Sequence, residues 1–195
     1  MVNANRVWHK HGAMPSRTGH RPRPPLDPAS LNEVALGYVG RFATSRSKLI
    51  AFLKRKLRER GWEGAAPPDT EAIADRLAGI GYIDDAAFAL AKARALTGRG
   101  FGARRVGQAL YAAGIGDEDG TEARALAQEE RVEAAVRMAR RKRYGPFADQ
   151  VLDPIQREKA IAAMVRAGHG FGLSRALVDL PPGHLFDHGS LAELR

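Results

Sequence analysis

Apolar residues recur at helical spacing through most of this chain. Leu49, Leu53 and Leu57 are four apart, with Ile50 and Phe52 beside them. At about 100° per residue these five fall on one arc, and Lys48, Lys54, Arg55 and Arg58 lie opposite. Lys56 and Arg60 interrupt the apolar side, where long stems can carry their charges out to water. Period-two alternation and β-branched runs are both missing, so no strand is expected. No proline occurs from Leu31 to Ala66 or from Asp69 to Gly145. The pattern predicts an all-α protein.

Helix starts and stops are legible in the same stretch. Ser45 or Ser47 can cap a helix ending near Arg60, Asp69 or Thr70 the next, and Asp84 one running through Ala95. Asp153-Pro154-Ile155-Gln156 puts Asp at a cap, Pro at the first helical position and Gln at the third. Gly61, Gly81, Gly114 and Gly168 read as stops. The stops expose a repeat: Gly61 to Gly114 is 53 residues and Gly114 to Gly168 is 54. The same offsets carry Leu57 to Leu110 to Met164, and Arg41 to Arg94 is again 53. This periodicity predicts three tandem units of three short helices, over residues 31–82, 83–128 and 129–180. Residues 181–195 are left as a C-terminal tail.

Residues 1–30 have a different texture. They hold five of the eleven prolines, and Arg6, Lys10, Arg17, Arg21 and Arg23 face one acid, Asp27. Trp8 is their only large apolar anchor. Such a segment buries little and is expected to be a disordered basic tail.

Lys and Arg number 31 against 22 Asp and Glu, a formal net charge of +9. That excess favours a polyanionic partner: nucleic acid, an acidic protein surface or an anionic membrane. No apolar run approaches the roughly 20 residues of a membrane span, and no signal-peptide core is present. A cytoplasmic protein without a membrane partner is expected. Cysteine is absent, which removes disulfides and thiolate chemistry.

Candidate chemistry mostly dissolves into structure. Gly98-Arg99-Gly100-Phe101-Gly102 lacks the Gly-Lys-Ser/Thr ending of a phosphate loop and follows a helix, so it reads as a turn. Asp84 and Asp85 read as a cap and a dipole partner. His9-Lys10-His11 lies in the tail, and His169, His184 and His188 have no acid at triad spacing. Nucleophile, base and oxyanion site do not assemble, so no enzyme, metal or cofactor is expected. The cations are more informative. Seven bases and one acid lie between Arg46 and Arg60, and no acid occurs from Ala86 to Gly116. Arg137, Arg140, Arg141, Lys142 and Arg143 make a third cluster. The clusters fall at related places in successive units, so stacking would align them into a stripe. The candidate binding residues are Arg41, Arg46, Lys48, Lys54, Arg55, Arg58, Arg94, Arg99, Arg104, Arg105, Arg140, Arg141, Lys142 and Arg143.

Several segments also carry a family resemblance. Tyr38-Val39-Gly40-Arg41-Phe42-Ala43-Thr44-Ser45-Arg46-Ser47-Lys48-Leu49 resembles the opening signature of the RecX family, and Leu57 to Gly61 its ending. Gly81-Tyr82-Ile83-Asp84-Asp85-Ala86-Ala87-Phe88-Ala89 is the most specific match. Arg94, Gly100 through Leu110 and Ala113-Gly114-Ile115 are similar to the second-repeat pattern. Arg140-Arg141-Lys142 with Ala167 to Phe171 are similar to the third, here with His169 and Gly170 inserted between Gly168 and Phe171. The resemblance covers about residues 31–180. It implies an elongated, curved, three-repeat helical array that acts as a monomer. It also implies a non-enzymatic regulator, usually an inhibitor, of the recombinase RecA in recombinational DNA repair and the SOS response. Such a protein would bind in the groove of the RecA–single-stranded DNA filament and modulate ATPase, strand exchange and co-protease activity, touching single-stranded DNA indirectly or weakly. The competing reading is a helical repeat protein that binds DNA directly, without RecA.

Overall fold

Most of the helices begin where a short polar side chain can serve the first unpaired amides. Asp27 accepts from the Ser30 amide at 2.7 Å, Asp69 from Ala72, Asp84 from Ala87 and Asp153 from Gln156, each of these three at 2.8 Å. Ser45, not Ser47, caps its helix, accepting from the Lys48 amide at 3.3 Å. In the computed structural model, which describes residues 23–187 with Gly189 and Leu191, the helices are α1 Pro28–Val39, α2 Arg46–Arg60, α3 Thr70–Gly79, α4 Asp85–Gly98, α5 Ala103–Tyr111, α6 Asp117–Glu129, α7 Arg131–Lys142, α8 Pro154–Arg166 and α9 Phe171–Asp179. One 3₁₀ turn, Gly145–Phe147, follows α7. The described residues contain no strand beyond an isolated bridge between Leu26 and Trp62.

The apolar faces close over three cores. Leu49 and Leu53 of α2 are fully buried against Leu31, Ala35, Ala74 and Leu77. The second core, from α4, α5 and α6, is built largely of alanine: Ala89, Ala93, Ala123 and Ala127 surround Val106 and Leu110. Small side chains let these helices approach closely. The third core holds Val132, Met138, Met164, Leu173 and Leu177 from α7, α8 and α9.

Two joints link the three groups, and they follow one rule. The cap of the second helix in one group docks on the glycine stop of the second helix in the next. The Ser45 hydroxyl donates to the Ala113 carbonyl at 2.6 Å, and the Arg46 amide donates to Asp85 Oδ1 at 2.9 Å. At the other joint the Gly102 amide donates to Ala167 O at 3.0 Å and the Arg104 amide to Gly168 O at 3.2 Å. A Cβ on Gly102 would lie 2.3 Å from Gly168 O, so only glycine fits there.

His169 closes the second joint. It is 2% exposed, and its Nε2 lies 3.1 Å from Gly100 O, which fixes the proton on that nitrogen. Burial pushes its pKa below the ordinary 6.5, against the opposing effect of the Gly100 bond. The unfolded chain therefore takes up a proton near that pH which the folded chain refuses. Stability from neutral His169 is fully present above the ordinary value and is lost as pH falls below it. Urea midpoints measured between about pH 7.5 and 5.5 should fall more for this protein than for His169→Gln, which keeps a donor for Gly100. Equal falls would assign the acid sensitivity to other groups.

Order extends beyond the expected boundaries at both ends. Residues 23–30 were expected in the tail, yet Leu26 is fully buried, and it exchanges backbone hydrogen bonds with Gly61 and Glu63. Asp27-Pro28-Ala29-Ser30 forms a capping box, so α1 begins at Pro28 rather than Leu31. Residues 1–22, with His9, His11 and Trp8, lie outside the described residues, as does His188. The expected C-terminal tail also packs. Phe186 meets Phe147 edge-on at 6.1 Å, the Gly183 amide donates to Pro146 O, and Leu191 is buried in the third core.

Candidate binding surface

The joints bring part of the predicted cation set together, because each joint is made by the first turn of a helix that begins with bases. Arg46 and Lys48 start α2 at the first joint. Lys48 Nζ sits 5.3 Å from the Phe88 ring centre, across the joint on α4. Asp85 faces the Arg46 amide rather than serving only the helix dipole, and burial raises its pKa against that hydrogen bond. Arg104 and Arg105 start α5 at the second joint, and Gly98–Gly102 is the turn before it.

The third cluster joins the second there. The Arg141 guanidinium donates to the Arg99 carbonyl, and the Arg99 guanidinium lies 5.4 Å from the Phe101 ring centre. Arg104 also lines a hollow of about 480 Å³ with Arg131, Gln128 and Leu173. Arg140 covers the Phe147 ring at 5.1 Å. No carboxylate lies within ion-pair distance of Arg99, Arg104, Arg105, Arg140, Arg141 or Lys142 among the described residues. Arg46, Lys48, Arg58 and Arg94 are likewise without a salt bridge there.

Other predicted residues are turned to intramolecular partners. Lys54 Nζ bonds Glu71 at 2.8 Å, and with Thr70 it holds that carboxyl at about 2. Arg55 pairs with Glu59 at 3.6 Å, and Arg143, in the left-handed conformation that ends α7, pairs with Asp149 at 3.0 Å. Arg41 stands apart beside Phe42, Phe52 and Arg60. Arg131 and Arg60 were not singled out from sequence. Arg131 falls outside every basic run, and Arg60 reads as a snorkelling base until the chain folds.

Among the described residues no group of three or more His, Asp or Glu is placed to hold a metal ion. No helix there is long and apolar enough to cross a membrane. The surface therefore offers cations, backbone joints and shallow hollows.

No family model matches the chain. Among characterised proteins it is similar to regulatory protein RecX of Myxococcus xanthus, 34% identical over 170 residues that cover 83% of this chain and 90% of the relative. It is also similar to regulatory protein RecX of Xanthomonas oryzae pv. oryzae, 34% identical over 76% of this chain and 86% of that protein. Among solved structures it is similar to a crystal structure of RecX from Lactobacillus salivarius, with a TM-score of 0.54 and 19% identity, covering 73% of this chain and 88% of that one. A second crystal structure of regulatory protein RecX has a TM-score of 0.54 at 23% identity, covering 73% of this chain and 67% of that one. The structural matches support the fold, and the sequence matches carry the kinship.

Proposed function

The chain belongs to the RecX family of regulatory proteins, and from that premise we propose that it inhibits a RecA-type recombinase without catalysing a reaction itself. In this reading it lies as a monomer, in the cytoplasm, along the groove of the RecA–single-stranded DNA filament. Three helical repeats set the spacing of its contacts. The observation that supports the reading is the second joint, where Arg104 and Arg105 open α5, Arg141 donates to the Arg99 carbonyl, and no carboxylate lies within ion-pair distance of these four residues among those described. Unpaired cations on a stiff helical frame suit a groove lined with phosphate and acidic side chains, and Arg can meet either with two hydrogen bonds. Long-range attraction by the +9 charge would speed the encounter. Slowed ATP turnover, strand exchange and co-protease activity would follow from occupying that groove.

The test is RecA ATPase on single-stranded DNA, titrated with this protein. The rate should fall with added protein and level off at saturation. A rate that stays flat or rises contradicts the inhibitory reading.

A further inference from the structure

A second basic surface lies away from the joints, and it has a different composition. Tyr38 of α1 stacks on Phe52 of α2, ring centres 4.1 Å apart and planes 17° from parallel. Phe42 lies against this pair, its ring centre 5.4 Å from that of Tyr38 and its plane tilted 48°. Phe42 is 56% exposed and lies outside the first core. The three rings border an open hollow of about 520 Å³ between α1 and α2. Arg23, Arg41, Arg55, Lys56 and Arg60 stand around it, with Glu33 as the one acid lining it among the described residues. The other nearby carboxylate, Glu59, is held by Lys56 at 2.5 Å and Arg55 at 3.6 Å. Arg60 is fixed on the rim by donating to Pro24 O at 2.8 Å.

We propose that this hollow is a site for single-stranded nucleic acid, in which a base stacks on the exposed Phe42 beside Tyr38 while Arg23, Arg41 and Arg60, the surrounding cations outside the Glu59 ion pairs, hold the flanking phosphates. Stacking needs a flat ring face open to a ligand, and cations alone would not call for one. Duplex DNA keeps its base faces inside and could use only the cations. An acidic peptide would satisfy the charges and leave the rings uncovered. The segment before Arg23 carries Arg6, Lys10, Arg17 and Arg21 and no acid, so its own charge opposes its filling the hollow. A volume of this size falls in the range of small-ligand sites and accommodates a nucleotide. Binding in this hollow needs no RecA.

The test uses fluorescence anisotropy with the full chain, a short labelled oligodeoxythymidylate and an abasic oligomer of equal length. Both probes carry the same phosphates, so generic electrostatics binds them alike. Stacking should make the thymidylate bind about five- to a hundredfold more tightly. Phe42→Ala and Phe42→Leu should both erase that preference, and Phe42→Tyr should keep it, with circular dichroism unchanged in all three. Equal affinity for the two probes would overturn the proposal, and so would a preference that survives in folded Phe42→Ala. Displacement of the thymidylate by polyglutamate of matched charge as readily as by unlabelled thymidylate would also overturn it, and would assign the hollow to an acidic protein.

Discussion

Gly168→Ala is expected to lower the unfolding free energy by about 2–6 kcal/mol, the sum of backbone strain and overpacking. Gly168 ends α8 at φ +99°, outside the range that other residues adopt comfortably. A Cβ there would lie 2.4 Å from the Arg105 backbone nitrogen and 3.0 Å from Gly102 O, so backbone itself would have to move. Neighbouring groups, the Gly102 and Arg104 amides with the Ala167 and Gly168 carbonyls, make the second joint, which ties α5 to the end of α8. Strain at this one position should therefore loosen two helices and the contact of His169 with Gly100. Gly79→Ala is the comparison. It ends α3 with open space around it, and alanine favours a helix, so a change near zero or slightly stabilising is expected. Urea denaturation of both variants checks this. A Gly168→Ala protein within about 0.5 kcal/mol of the parent, as at an ordinary surface site, would mean the joint has slack.

Position should matter more than charge for the proposed regulation. Changing Arg99, Arg104 and Arg105 to Gln takes the net charge from +9 to +6, three positive charges removed. Changing Lys54, Arg55 and Arg143 to Gln has the same effect on net charge. The first set has no carboxylate partner among the described residues, whereas the second pairs with Glu71, Glu59 and Asp149. If each free cation contributes about 0.5–1 kcal/mol to an interface, the first triple variant should inhibit RecA ATPase roughly ten- to a hundredfold more weakly. The second should stay within a few-fold of the parent. The first should keep its melting temperature or gain slightly, because Arg104 and Arg105 place positive charge in the first turn of α5, against the helix dipole. Equal weakening by both sets would reduce the joints to a general electrostatic effect.

The local plan of the fold was legible because it is decided within a few residues. Each of Ser45, Asp69, Asp84 and Asp153 serves an amide three residues on, and the period of Leu49 and Leu53 records which side of α2 meets the core. The start of α1 is masked by its surroundings. Asp27-Pro28-Ala29-Ser30 has the same form as Asp153-Pro154-Ile155-Gln156, but the prolines and bases around it give the segment the composition of a tail. Composition misleads when a single buried leucine, here Leu26, anchors an otherwise polar segment. The packing of Phe186 and Leu191 was hidden in the same way.

By itself the sequence determined an all-helical chain, the places where four of its helices start, its glycine stops and its family kinship. Those properties reside in composition, spacing and motif, and need no knowledge of distant contacts. Only the tertiary structure decided which cations are available. Arg46 meets Asp85 across 39 residues, Ser45 meets Ala113 across 68 and His169 meets Gly100 across 69. Lys54 and Arg99 look alike in the sequence, each a base in a basic run. Folding carries Glu71 to one, and to the other it brings Arg141, a second cation. A charge is free or spent according to what lies within a few ångströms of it, and that is set by how helices pack.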